Sequence, residues 1–245
     1  MTGQPPSELD IEQARLYATE LAELYYKERE LRKELEEAYK KLEASYFNTM
    51  RALVAAIEAK DSFTEGHSER VRDWSLVIAQ EMGLDKSFQQ KLSIAAILHD
   101  VGKISLPGSI LNKPGKLTDA EYKLVQTHVE TGVQIVRQAG FDEEIQQMIA
   151  HHHEYFDGSG YPQGLSGSDI SVGGRILALV DSFEAMISYR PYRPAMSVQS
   201  AVKIVRAASG SHFDPEAVRY FLHAIREHKL HPSTVALKYN PAERF

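Results

Sequence analysis

From Leu9 to Lys60 the chain contains neither glycine nor proline. Glu, Lys, Leu and Ala, all good helix formers, dominate the stretch, which therefore predicts one long helix. Leu24, Leu31 and Ala38 recur at heptad spacing, and Leu35 and Leu42 share a second row that starts at Glu28. Two such rows make an a/d seam with one polar interruption. The charged content of 27–43 leaves only a narrow apolar stripe, which favours a coiled coil over a helix folded back on its own core. Further on, the apolar positions shift to Tyr46, Met50, Leu53 and Ile57. The outer turns are thus expected to form a parallel homodimer, and the inner turns to dock on a domain.

The remaining residues read as a second unit, giving segments 1–60 and 61–245. Helical patterns fit 68–82, 87–100, 118–139, 143–153, 171–188, 197–208 and 214–228. Thr118 with Glu121 is a capping box, and Asp214-Pro215 opens the last helix. Loops are expected at 107–115, 157–167 and 190–195. No sustained alternation marks a strand, so the expected class is all-α. At 245 residues and 43% hydrophobic content, one sizeable core is possible. A net charge of -6 does not fit a general duplex-binding protein. No apolar run reaches the roughly 20 residues of a bilayer span, and MTGQPPSELD lacks a signal pattern. The expectation is a soluble, cytoplasmic protein without a membrane segment.

The chemistry concentrates in two strings. His99-Asp100-Val101-Gly102-Lys103 places an imidazole, a carboxylate and an ammonium close together. His151-His152-His153-Glu154 continues through Asp157-Gly158 to Gly160-Tyr161-Pro162. Because the chain has no cysteine, any metal must be held by His, Asp or Glu. His128 sits on a helix with Val125 and Val129, Asp181 follows the apolar run 176–180, and His67 lies in a turn before a helix. A carboxylate placed after such a run needs a partner if buried. Asp100 has two oxygens and can bridge two ions while His99 binds one. Each residue alone has an ordinary structural reading, such as a core histidine or a solvated helix end. Only their joint pattern carries weight.

That pattern resembles the HD-GYP branch of the HD phosphohydrolase superfamily, over 61–197. The resemblance runs through Lys60-Asp61, Gly66-His67-Ser68, the His99-to-Lys103 string, Lys113-Pro114-Gly115, His128, the Gly160-Tyr161-Pro162 signature, Asp181, and Arg190-Pro191-Tyr192-Arg193. It implies an all-helical bundle around a metal site with His67, His99, Asp100, His128, His152, His153 and Asp181 as ligands, Asp100 bridging. Some members add a Glu ligand four positions before the first His; Phe63 stands there, which implies two divalent ions, iron or manganese, rather than three. The implied reaction is hydrolysis of cyclic di-GMP to linear pGpG by a hydroxide held between the ions. Lys103, Arg190 and Arg193 would contact phosphate, while Tyr161 and Asp61 would face the substrate. Glu154 is expected to orient a ligating histidine. His151, His212, His223, His228 and His231 stay outside the site. Two other readings stand beside this one: a cyclic-di-GMP-binding signalling module with little turnover, and an HD-type enzyme of different chemistry.

Overall fold

The computed structural model describes residues 7–60, 66–188 and 195–227. Among them there is no strand, and the class is all-α as expected. Helix α1 runs Glu8–Glu58, uninterrupted, as the absence of glycine and proline requires. The chain divides into two compact units between Thr49 and Met50, inside that helix. In the first unit Leu24, Leu31, Leu35 and Leu42 are all exposed. In the second, Met50 and Val54 are buried.

The second unit continues with α2 (His67–Glu81), α3 (Lys86–Leu98), α4 (Gly108–Leu111), α5 (Asp119–Gln138), α6 (Glu143–Ala150), α7 (Val172–Ile187), α8 (Val198–Ala207) and α9 (Pro215–Arg226). Short 3-10 turns lie at Val101–Ser105 and Gly167–Asp169. Side-chain caps start most helices: Asp85, Thr118, Asp142, Ser171, Ser197 and Asp214 each accept an amide of the first turn. Helix α2 has no such cap, and Gly66 stands before it with φ 69°. Glu58 of α1 takes over, accepting from the amides of Gly66 (2.9 Å) and Ser68 (3.0 Å) and from Ser68 Oγ (2.7 Å). Lys60 Nζ donates to the carbonyls of Ile104 (3.0 Å) and Leu106 (2.6 Å). The end of α1 is thereby tied to both segments that carry the first site residues.

The core lies where α2, α3, α5, α6, α7 and α9 meet. Trp74 packs on Phe183 (5.1 Å between centroids) and Phe183 on Phe221 (4.7 Å). Ile78, Leu92, Ile97, Ile149, Ile176 and Leu179 are fully buried beside them. Burying each such side chain is worth roughly 1.5–3 kcal/mol, which holds the helix ends at the site in place.

Several boundaries differ from the sequence expectation by one to three residues. Helix α3 stops at Leu98 rather than 100, because His99 turns its Nδ1 onto the carbonyl of Ala96 (2.8 Å) and the chain tightens into the 3-10 turn. Helix α6 stops at Ala150 rather than 153, where His152 Nδ1 takes the carbonyl of Ile149 (2.6 Å) and the triplet forms a turn. The loop expected at 107–115 contains α4, one short turn. The expected loop 190–195 falls mostly outside the described residues.

Candidate metal centre

Three helix ends and two helix faces bring the expected ligands together. His67 opens α2, His99 and Asp100 follow α3, His152 and His153 follow α6, and Asp181 and His128 project from α7 and α5. Asp100 stands between them. Its Oδ2 is 3.4 Å from His99 Nε2 and 4.0 Å from His67 Nε2, and its Oδ1 is 3.4 Å from His128 Nε2. His67 Nε2 is also 3.2 Å from Asp181 Oδ1. Two groups have ligand atoms all within 4.8 Å of one another: His67, His99 and Asp100, and His128, His152 and His153. The two oxygens of Asp100 thus face the two groups.

Three imidazoles share one local device. His99, His128 and His152 each donate Nδ1–H to the carbonyl three residues back, those of Ala96 (2.8 Å), Val125 (2.6 Å) and Ile149 (2.6 Å). That bond fixes the tautomer and leaves the Nε2 lone pair facing inward. These three Nε2 atoms are buried without a hydrogen-bond partner. Buried polar atoms rarely stay unsatisfied, because the desolvation costs about 1–3 kcal/mol each. Ligand atoms about 2.1 Å from one ion stand roughly 3–4 Å apart, the range of the separations around Asp100 and between His67 and Asp181. The donor set fits divalent metal on both counts.

The protonation states fit as well. Burial pushes His152 well below the ordinary imidazole range and brings His153 down to about 4. Burial opposes ionisation of Asp100, but Lys103 and His99 outweigh it and hold the carboxyl well below its usual range. Lys103 Nζ lies 2.6 Å from Asp100 Oδ2. His67 is different. Burial works against its protonation, yet hydrogen bonds to Asp181 and Glu184 prevail and raise it to about 10.

Glycine at Gly102 permits this assembly. A Cβ there would come within 1.9 Å of the His128 carbonyl oxygen and 2.6 Å of the Gly132 nitrogen, so only glycine lets the turn after Asp100 press against α5.

The loop after the triplet is pinned by Glu154, which is fully buried. Its carboxylate accepts from the amides of Gln163 (2.7 Å) and Leu165 (3.1 Å). The contacts of Glu154 thus run to the signature loop, where the sequence expectation had it orient a histidine: at the start of a tight turn, unpaired amides are the nearer donors. Tyr161 lies over His153, with ring centroids 4.8 Å apart. His151 stays outside the cluster, accepting from the amide of Ser171 (3.0 Å). His212 packs against Tyr155, and His223 lies near Glu81. Asp61, Phe63, Arg190, Arg193, His228 and His231 lie outside the described residues.

Sequence reasoning missed Glu184. It is buried on α7, pairs with His67 Nδ1 (2.6 Å) and Arg70 Nε (2.5 Å), and accepts from Ser188 Oγ (2.6 Å). Its position three residues after Asp181 was the available signal, since i and i+3 share a helix face.

Imidazoles and carboxylates converging from helix ends define a metal-binding helical bundle. The model of the HD domain family matches residues 51–217. The chain belongs to that family, in its HD-GYP branch. It is 38% identical over 201 residues to a protein of Thermotoga maritima named cyclic di-GMP phosphodiesterase, covering 80% of this chain and 54% of that protein. A Vibrio cholerae protein named 3'3'-cGAMP-specific phosphodiesterase 3 is 39% identical over 160 residues, 65% of this chain and 35% of that one. The response regulator RpfG of Xanthomonas campestris, named a cyclic di-GMP phosphodiesterase, is 38% identical over 172 residues, 69% of this chain and 46% of its own. The chain thus spans between 35% and 54% of these relatives. The crystal structure of the cyclic GMP-AMP phosphodiesterase V-cGAP3 of V. cholerae superimposes with TM-score 0.59 at 19% identity, covering 74% of this chain and 49% of that one, a likeness of fold. Among the described residues no helix is long and apolar enough to cross a membrane.

Proposed function

We propose that this chain is a cytoplasmic, metal-dependent phosphodiesterase that opens a cyclic dinucleotide, cyclic di-GMP first among them, to linear pGpG. The observation that carries it is the set of three buried, unsatisfied Nε2 atoms around Asp100, whose two oxygens face the two ligand groups. His67, His99 and Asp181 would hold one divalent ion, His128, His152 and His153 the other, and Asp100 both; iron and manganese suit these ligands. When bound, such ions supply an activated water at neutral pH and neutralise charge on the phosphoryl group.

The residues of the chain do the rest. The carbonyl-bonded imidazoles aim Nε2 inward. Lys103, held by Asp100, is half-buried beside the ligand groups, and its ammonium would meet a phosphate oxygen. Tyr161 borders the cluster with its ring on His153. Arg190 and Arg193, with fork-shaped donors, and Asp61 complete the substrate contacts in this proposal. Phe63 leaves no third carboxylate, which limits the centre to two ions and the main product to pGpG. The exposed leucines of α1 pair with a second copy in parallel.

The direct test is turnover. Protein loaded anaerobically with iron or manganese is expected to bind two ions per chain and convert cyclic di-GMP to pGpG, resolved by chromatography. Binding of cyclic di-GMP without product would favour the signalling-module reading. Three ions per chain, or rapid accumulation of GMP, would contradict the two-ion centre.

A further inference from the structure

Tyr122 has no role in the metal centre, yet it stands beside it. It lies in the first turn of α5, six residues before His128, and remains 46% exposed. Its ring meets Tyr161 at 79° with centroids 6.2 Å apart. Tyr161 in turn lies nearly parallel to His153, at 28°. A line of rings therefore runs from the second ligand group to solvent.

Both tyrosines are held. The amide of Tyr161 donates to the His153 carbonyl (3.1 Å), and Glu154 ties the residues that follow. Gly160 fits only as glycine, since a Cβ would meet the Tyr155 nitrogen at 2.2 Å. Tyr122 is braced by the capping box of α5 and by the bonds from Lys113 to Glu121 (2.6 and 2.8 Å). The two rings, near right angles, form a corner of which Tyr122 is the exposed wall.

We propose that Tyr122 and Tyr161 form a stacking corner for one purine base of the substrate, with Tyr122 as its outer wall. The proposal rests on the cyclic-dinucleotide reading above and assigns to that reading its base-contacting surface. The corner adjoins the second ligand group, since the Tyr161 ring lies 4.8 Å from that of His153 and the Tyr122 ring 6.2 Å from that of Tyr161. Aromatic faces hold purines by stacking, worth roughly 1–3 kcal/mol per base, so selectivity follows ring area more than hydrogen bonding.

The test compares cyclic di-GMP with bis(4-nitrophenyl) phosphate, a diester with no purine, in the metal-loaded protein. Tyr122→Ala is expected to lower the ratio of kcat/KM for the two substrates about tenfold, through KM for cyclic di-GMP, and Tyr122→Trp to restore it. Equal losses on both substrates, or no loss on either, would overturn the proposal. Calorimetric binding of guanosine 5′-monophosphate separates the two levels: affinity weakened about tenfold by Tyr122→Ala supports the corner, and unchanged affinity refutes it. A chain that binds this nucleotide through Tyr122 but leaves cyclic di-GMP intact would sink the substrate reading alone.

Discussion

Replacing Glu184 with glutamine removes one charge and almost no volume, and it should be felt twice. Burial pushes the Glu184 carboxyl up, but His67, Arg70 and Ser188 overcome that and bring it from 4.5 down to about 2. Such a displacement corresponds to about 3 kcal/mol of preference for the ionised form. The pKa is depressed in the folded state, so this stability is complete above pH 4.5 and is lost as the pH falls toward 2. In metal-free protein, urea unfolding at pH 7 should place Glu184→Gln about 3 kcal/mol below the unaltered chain, and the gap should shrink to about 1 kcal/mol at pH 3. Metal affinity should also fall 10- to 100-fold, the usual cost of losing the carboxylate behind a ligating histidine. A gap of equal size at both pH values would mean that packing, not charge, is what Glu184 supplies. Unchanged metal affinity would refute its part in orienting His67.

Asp100→Ala should release at least one ion per chain and abolish detectable hydrolysis with the helical fold retained by circular dichroism; full activity would end the shared-carboxylate scheme. Metal binding at pH 7 should release at least one proton, because His67 is raised to about 10 in the metal-free protein and must give up its Nε2 proton, and His99, against its burial, is raised by Asp100 as well. Calorimetry in two buffers of different ionisation enthalpy counts it, and affinity should weaken as the pH is lowered. Changing Leu31 and Leu35 together to charged residues should shift the protein to monomer in light scattering, each buried leucine being worth roughly 1.5–3 kcal/mol. Hydrolysis should persist in that variant, since all the proposed ligands follow residue 60; an unchanged mass would rule out this seam.

Much of this protein is written in short-range chemistry. A stretch free of glycine and proline makes α1 one helix, and the caps at Thr118 and Asp214 mark helix starts because side-chain oxygens and first-turn amides are near neighbours in sequence. The seven proposed ligands were legible only together, through the resemblance of their motifs and order to a known family, since each alone has an ordinary structural reading. What the tertiary structure decided depends on groups far apart in the chain. Glu184 lies 117 residues from the histidine it holds. Glu154 turned to amides of the loop it begins, and α3 and α6 ended early so that their imidazoles could take a carbonyl and face inward. Gly102 proved essential for a reason that no local pattern contains, the approach of a second helix to within 1.9 Å of where its side chain would start. Propensity and spacing act within a turn or two of helix. The direction in which each ring aims its Nε2, and the exposure left to Tyr122, arise from the packing of helices that sequence order keeps apart.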